Sequence, residues 1–175
     1  MEKIILIYSS TDGHTREICL RLLKVLEAAG NEVALISVEE APNYQLENFD
    51  KIIIGASIRY GRHSKGIYQL ISSKLQALNN KPNAFFTVNL VARKPNKNQP
   101  ETNPYLIRFL SQIAWQPKQL AVFAGKIDYQ KYNVFDRGMI RMIMWMTKGP
   151  THPKTSIDFT DWEQVNKFGK VICDM

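Results

Sequence analysis

The sequence predicts an α/β fold in which a five-stranded parallel sheet is covered by helices on both faces. Three observations predict it. Short apolar runs alternate with helical apolar patterns along the chain. The first run, Lys3–Tyr8, is continuous rather than alternating, as a strand covered on both faces reads. Finally, 175 residues with 45% hydrophobic and 22% charged side chains are enough for one ordinary hydrophobic core, and a single domain over 1–175 is expected. Strand–helix–strand connections of this kind cross over with right-handed sense.

Each element has its own justification. After the first strand, Ile18, Leu22, Val25, Leu26 and Ala29 recur at helical spacing from Thr15, and Gly30 stands where a helix-ending glycine belongs. Glu32–Val38 and Lys51–Ser57 read as the second and third strands. Ile67, Leu70, Ile71, Leu75 and Leu78 share one face of a helix over Ser64–Leu78. Asn83–Val91 is the fourth strand. Asn103 and Pro104 supply a cap and a first-turn proline for a helix running to Trp115. Gln119–Gly125 is the fifth strand. Thr160–Glu163 has the spacing of a capping box with Thr160 as cap, and opens a last helix with Trp162, Val165, Phe168 and Ile172 inside.

One connection is too long for this scheme. Residues 126–159 separate the fifth strand from the last helix, where a few residues would serve. The segment carries Tyr129, Tyr132, Phe135, Ile140, Ile143, Trp145 and four methionines, a composition that argues against disorder. Within it, positions 135, 139, 142, 143 and 146 follow helical spacing, and Ile140, Met144 and Trp145 widen the face. That helix is expected either to join the core or to meet membrane, quinone or substrate. Arg137, Arg141 and Lys148 could reach lipid phosphates, and Trp145 suits a membrane interface.

Charge divides the chain. Residues 1–50 hold 4 basic and 9 acidic side chains, whereas 51–175 hold 19 basic and 7 acidic ones, within a total of +7. The later part should attract anions such as nucleic acid, an anionic membrane or a carboxylated substrate. Cys19 and Cys173 form no CxxC motif, so a reducing compartment is expected, with neither a disulfide framework nor a zinc site. His14, His63 and His152 fit no metal-binding spacing. The N-terminus has no signal-peptide pattern, and no apolar run approaches the roughly 20 residues that span a bilayer.

The loop after the first strand carries the clearest chemistry. Ser9, Ser10, Thr11, Gly13 and Thr15 bring four hydroxyls and a glycine to a helix N-terminus. Backbone amides and hydroxyls there can hold a phosphate without a lysine. The loop matches neither a GxxxxGK phosphate loop nor GxGxxG.

YSSTDGHT over Tyr8–Thr15 resembles the FMN phosphate loop of flavodoxins. Asp12 departs from the hydroxyl residue usual there, and its carboxylate is expected to turn away and cap the helix. A closer resemblance runs along nearly the whole chain. IGASIRYG over Ile54–Gly61, VNLVARKP over Val88–Pro95, Thr102–Asn103 and TDWE over Thr160–Glu163 are similar to the menaquinone-dependent protoporphyrinogen oxidases, flavodoxin-like enzymes of bacterial haem synthesis. The resemblance implies a doubly wound sheet of order 2-1-3-4-5, FMN, protoporphyrinogen IX as substrate, and menaquinone or ubiquinone as acceptor. It also implies a peripheral place on the cytoplasmic face of the bacterial inner membrane, met through the basic, Met-rich insert.

In such a sheet the ligand sits beyond the carboxyl ends of the strands, where the strand order switches. Ser10, Thr11, Asp12, Gly13, His14 and Thr15 are then expected at the phosphate. Ser57, Tyr60 and Gly61, with Asn89, Leu90, Val91 and Ala92, are expected around the flavin ring, Tyr60 as a stacking face. Arg59, Arg62 and Arg93 are the candidates to orient the substrate's propionates, because arginine pairs bidentately with carboxylates. Together with Lys65, Lys94 and Lys97 they could equally form a solvated basic rim. His63 is either a proton acceptor or an exposed loop residue. No catalytic side chain is assigned, since the flavin carries the chemistry. Three other readings stay open: a flavodoxin-type electron carrier, which the positive charge disfavours; a general NAD(P)H quinone reductase, for which no nicotinamide site is visible; and a nucleic-acid-binding protein, which rests on charge alone.

Overall fold

A computed structural model describes residues 1–175. In chain order the elements are β1 (Lys3–Ser9), α1 (His14–Ala28), β2 (Glu32–Ser37), β3 (Lys51–Ser57), α2 (Lys65–Ser73), α3 (Leu75–Asn80), β4 (Asn83–Asn89), α4 (Pro104–Leu110), β5 (Gln119–Ala124), β6 (Lys126–Asp128), α5 (Val134–Met146), β7 (Ser156–Asp158) and α6 (Trp162–Cys173). The first five strands form one parallel sheet in the order β2-β1-β3-β4-β5, as the resemblance implied. In the register, Ile5 stands between Ala34 of β2 and Ile52 of β3.

Side chains alternate across this sheet, so each strand feeds two cores. Ile5, Ile7, Ile52, Ile54 and Phe85 face α2, α3 and α4, where Ile67, Leu70, Leu78, Leu106 and Phe109 meet them. Ile4, Leu6, Ile53, Phe86 and Phe123 face α1 and α6, against Ile18, Leu22, Leu26, Val165, Phe168 and Ile172. The continuous apolar reading of Lys3–Tyr8 thus had the right cause. The helices α1 and α6 approach closely at Gly169, where a Cβ would stand 2.7 Å from Val25 Cγ1. At Gly55 the ring of Phe86 fills the place of a side chain. Cys19 lies in the core, and burial pushes its thiol up, which suits a packing residue rather than a nucleophile.

At the amino ends of the strands, Lys51 is 1% exposed. Its Nζ donates to the carbonyls of Ile172 at 3.0 Å and Cys173 at 2.8 Å, and pairs with Glu2 at 2.6 Å. The ammonium thereby caps the last carbonyls of α6, where the helix dipole favours a cation.

Four boundaries differ from the sequence reading. The helix expected over Ser64–Leu78 breaks at Lys74 (φ −114°, ψ 18°) into α2 and α3. The fourth strand stops at Asn89, whose side chain accepts the Ala92 amide at 3.1 Å and turns Leu90–Arg93 into a 3-10 helix. The helix expected to reach Trp115 ends at Leu110, and Trp115 is buried in the core beyond it. The cap of α6 is Asp161, which accepts from the amides of Glu163 (3.0 Å) and Gln164 (3.1 Å), whereas the Thr160 hydroxyl donates to Ala124 O at 2.8 Å.

The segment after β5 folds on itself. β6 and β7 pair antiparallel and close its base, reinforced by the Phe159 amide on Gly125 O at 3.1 Å. Between them α5 starts at Asn133, whose side chain accepts the Asp136 amide at 2.7 Å. It ends with Lys148 in the left-handed region (φ 56°), and the amides of Gly149 and Lys148 return to the carbonyls of Met144 (2.6 Å) and Trp145 (3.3 Å). This is the bonding of a Schellman stop. Ile127, Tyr129, Tyr132, Ile140 and Met144 form a small core of their own, with Leu90 and Phe159 against it. So of the three positions read as widening the apolar stripe, Ile140 and Met144 are buried, whereas Trp145 is exposed together with Phe135, Met142 and Met146. No helix is long and apolar enough to cross a membrane.

Candidate functional site

The loop between β1 and α1 is built to leave donors free. Gly13 precedes α1 with φ 86°, a left-handed conformation that costs glycine little. Its amide goes to Ser10 Oγ at 2.9 Å, which tightens the turn. The amides of the first helical turn have no intrahelical acceptor. Thr15 is 1% exposed, and its Oγ1 is buried with no hydrogen-bond partner. A buried hydroxyl without a partner beside free helix N-terminal amides is what a phosphate group would satisfy. The residues therefore fit the phosphate of the implied FMN. Ser9 is not available to it, since its Oγ is bonded to Ser64 Oγ at 2.8 Å.

Asp12 does not cap the helix as expected. Both its carboxylate oxygens take Arg59 Nη2, at 2.7 and 2.6 Å. An acidic residue in an anion-binding loop thus carries its own neutralising partner. Arg59 reaches further: Nη1 stands 3.8 Å from Asp136 of α5, and the guanidinium lies 5.5 Å over the ring of Tyr132. One side chain joins the phosphate loop, the loop after β3 and the insert.

The loop after β3 is a two-residue hairpin. The amide of Arg59 bonds Arg62 O at 3.0 Å, and that of Arg62 bonds Arg59 O at 3.3 Å. Tyr60 and Gly61 at the tip both have positive φ, 51° and 77°. Such a turn normally takes Asn-Gly or Gly-Gly, and an aromatic residue held there is strained. Tyr60 remains half-exposed while lining the cavity, as a ring face open to a ligand would.

The third loop is held from below. The side chains of Asn89 and Asn103 bond each other at 3.3 and 3.1 Å, so the Asn89 side chain serves the fold. Ala92, expected at the flavin, is instead buried in the α2–α4 core. Arg93 donates to Leu90 O (2.9 Å) and to the carbonyl and hydroxyl of Thr147 (3.2 and 2.9 Å), fastening the insert to this loop. Partial burial lowers its pKa from the ordinary arginine value. Arg62 is exposed and does not line the cavity. His63 is neither rim residue nor proton acceptor for a ligand. It is 3% exposed, packs against Phe85 and Phe109, bonds Thr87 Oγ1 at 3.0 Å, and burial pushes its pKa down to about 3.

These loops converge on a cavity of about 360 Å³, within the range of small-molecule sites. Ser10, Thr11, Asp12, His14, Thr15, Ser57, Arg59, Tyr60, Gly61, Asn89, Leu90, Val91 and Arg93 line it; Gly13 shapes the loop without reaching it. The opposite wall belongs to the insert, whose helix was expected either to join the core or to meet membrane, quinone or substrate, with no residue of it assigned to the flavin site. Met139, Ile140, Ile143 and Met144 of α5 line the same cavity, with Tyr105, Lys126 and Tyr132. The helical stripe of the insert was visible, but which of its edges turned inward was decided by the hairpin at its base. Tyr132 is held protonated by burial, which raises its pKa. Lys126 forms no ion pair and is the cavity's free cation.

His14 ties this wall to the phosphate loop. Its Nδ1 faces Glu17 at 3.0 Å, and its Nε2 faces Thr160 Oγ1 at 2.6 Å, the hydroxyl that donates to Ala124 O. Asp158 lies 3.6 Å from Nε2. Thr160, two residues beyond β7, is thereby bonded to the first residue of α1.

A family profile described as a flavodoxin domain matches residues 5–154. The chain is similar to protoporphyrinogen IX dehydrogenase (quinone) of Escherichia coli (strain K12), with 40% identity over 99% of this chain and 96% of the relative. It is similar to the protein of the same name from Leishmania major, with 38% identity over 95% of this chain and 72% of the relative. Among solved structures it resembles oxidised flavodoxin 1 from Bacillus cereus (TM-score 0.53, 17% identity, 98% of this chain and 97% of that one). A flavodoxin from the domain Archaea is similar at TM-score 0.54 and 14% identity, over 98% and 96% of the two chains. At such identities these two likenesses concern the fold.

Proposed function

From the premise that the chain belongs to the flavodoxin-domain family, and within it to the quinone-linked protoporphyrinogen IX dehydrogenases, we propose that it oxidises protoporphyrinogen IX to protoporphyrin IX, holding FMN and passing the electrons to a quinone. The observation that carries this reading is the two-ended cavity. A phosphate cradle free of lysine closes one end, and an apolar helix from the insert forms the opposite wall, in a chain 40% identical to a dehydrogenase of that name.

The roles of the residues follow from their surroundings. Ser10, Thr11, Thr15 and the first amides of α1 hold the phosphate, and Arg59 neutralises Asp12 beside it. Tyr60 presents a ring face to the flavin, and the backbone of Ser57–Gly61 and Asn89–Val91 borders its polar edge. When bound, FMN accepts two electrons and a proton equivalent from the substrate at each turnover. Protoporphyrinogen gives up six electrons and six hydrogens, so three quinones leave as quinols. The chain contributes position, charge and exclusion of water. Met139, Ile143 and Met144 offer adaptable apolar contact to a tetrapyrrole or a quinone ring. Arg59 and Arg93 are already engaged by Asp12 and Thr147, so Lys126 and the nearby exposed Arg62 are the cations left to meet propionates.

The acceptor is a membrane quinone, and the insert meets the bilayer as a peripheral contact on the cytoplasmic face of the inner membrane. Phe135, Met142, Trp145 and Met146 form the exposed apolar row, and Lys131, Arg141, Lys148 and Lys154 around it match an anionic surface. The test is anaerobic. Protoporphyrinogen should bleach the bound flavin, menaquinone or ubiquinone analogues should restore it, and porphyrin fluorescence should rise in proportion. If NAD(P)H bleaches the flavin and protoporphyrinogen does not, the protein is a general quinone reductase.

A further inference from the structure

The outer face of α5 bears a second concavity that none of this chemistry uses. It is shallow and open to solvent, and is lined by Gly138, Arg141, Met142, Trp145 and Thr151. At Gly138 a Cβ would meet nothing within 4 Å, so the helix backbone is open there. Trp145 is 75% exposed and Met142 50%. Arg141 Nε donates to Thr151 O at 2.8 Å. That bond fixes the guanidinium from behind, and no protein acceptor takes its two terminal nitrogens. The one acidic side chain of α5, Asp136, is turned toward Arg59 and away from this groove.

We propose that this groove is a headgroup site for an anionic phospholipid. The proposal rests on the reading that the insert meets the membrane, and deepens it by naming the lipid contact. A fork fixed by its Nε presents two parallel donors to a phosphodiester, a geometry that a diffuse positive surface lacks. The indole of Trp145 suits the depth of the glycerol backbone, and Met142 meets the first acyl methylenes. Exposed Lys148 and Lys154 add unspecific attraction. The groove and the flavin cavity lie on opposite sides of the same helix, so a lipid held here sets α5 along the bilayer surface.

The test is co-sedimentation of the flavin-loaded protein with vesicles of phosphatidylcholine alone or mixed with phosphatidylglycerol. The wild type should bind the mixed vesicles preferentially. Arg141→Lys keeps the charge but loses the fork, and should weaken that binding about threefold or more, whereas Lys154→Arg should leave it unchanged. Trp145→Ala should weaken it roughly tenfold, and this loss should persist in high salt while that of Arg141→Lys shrinks. Flavin fluorescence and turnover with a short-chain quinone, measured without vesicles, should be unaltered in all three variants. If Arg141→Lys binds as the wild type does, attraction is diffuse and the site is refuted. It is also refuted if Trp145→Ala dissociates a dimer instead of releasing lipid. Absence of turnover in the wild type, with the vesicle results intact, would count against the functional reading alone.

Discussion

Replacing Thr15 by valine should change two properties in opposite directions. Valine keeps the shape of threonine and removes the hydroxyl, which is buried and has no partner in the free protein. A buried, unpaired hydroxyl costs about 1–3 kcal/mol of desolvation. Thr15→Val should therefore stabilise the apoprotein by about 1 kcal/mol or more, raising its melting temperature by roughly 2–4 °C per kcal/mol for a chain of this size. If the proposed site is right, with FMN bound the same hydroxyl should donate to a charged phosphate, a bond worth about 1.5–3 kcal/mol. Its loss should weaken FMN binding by about ten- to a hundredfold. Urea unfolding of the apoprotein gives the first quantity, and quenching of flavin fluorescence gives the second. Extending the change to Ser10→Ala and Thr11→Ala should weaken binding further, though Ser10 is already used by the Gly13 amide and Thr11 is exposed. A destabilised Thr15→Val apoprotein would mean that the hydroxyl has a partner before FMN arrives. Unchanged FMN affinity would remove Thr15 from the phosphate site.

Three other outcomes are expected. Arg59→Ala leaves Asp12 unneutralised beside the phosphate and should lower FMN affinity about tenfold, with recovery in Arg59→Ala/Asp12→Asn; a double variant as weak as the single one would mean that Arg59 acts elsewhere. His63 has a folded pKa of about 3 against an ordinary 6.5. The unfolded chain therefore binds a proton that the folded one does not, and stability is full above about pH 6.5 and falls as pH drops toward 3. Near pH 5 the loss should be about 2 kcal/mol. His63→Gln should flatten that slope in urea titrations, and an unaltered slope would place the ring in water. Deleting Tyr129–Lys154 with a short Gly-Ser link retains β6, β7 and the Phe159–Gly125 bond. The product should still fold and bind FMN, while losing quinone-coupled turnover and vesicle binding. Full turnover with a membrane quinone would refute a role for the insert in the site.

What the sequence made legible follows the range of the forces involved. The five parallel strands were visible because burial on both faces writes a continuous apolar run into each, and the hydroxyl-rich turn before α1 because hydroxyls and a glycine at a helix start are local chemistry. The strands β6 and β7 were not visible. They are three residues each, and Ser156–Asp158 is exposed throughout, with no alternation to detect. Thr160 read as a helix cap because threonine three residues before glutamate has that spacing. Its hydroxyl is taken instead by Ala124, 36 residues away, a partner that no local pattern encodes. Asp12 was expected to turn away and cap α1, but Arg59 from the loop after β3 offered a stronger partner. His63 sits in a basic loop, yet its ring is drawn beneath the loop by Phe85 and Phe109. The inward edge of α5 belongs to the same class, since only the path of the chain around it distinguishes Met144 from Trp145.

The buried ammonium of Lys51 divides the molecule into unequal halves. It fastens the start of β3, the end of α6 and Glu2 at the amino end of the strands, remote from the cavity. Removing one partner of such a buried group costs several kcal/mol, so this end is expected to open last. The carboxyl end is held by a hairpin turn, the hydroxyl-rich loop before α1 and an insert fastened by Arg59 and Arg93. Amide exchange should therefore be slowest around Lys51 and should quicken along each strand toward its carboxyl end. On this account the protein should breathe where its ligands arrive and stay rigid where none do, so that changes in the loops around the cavity leave intact the fold that carries them.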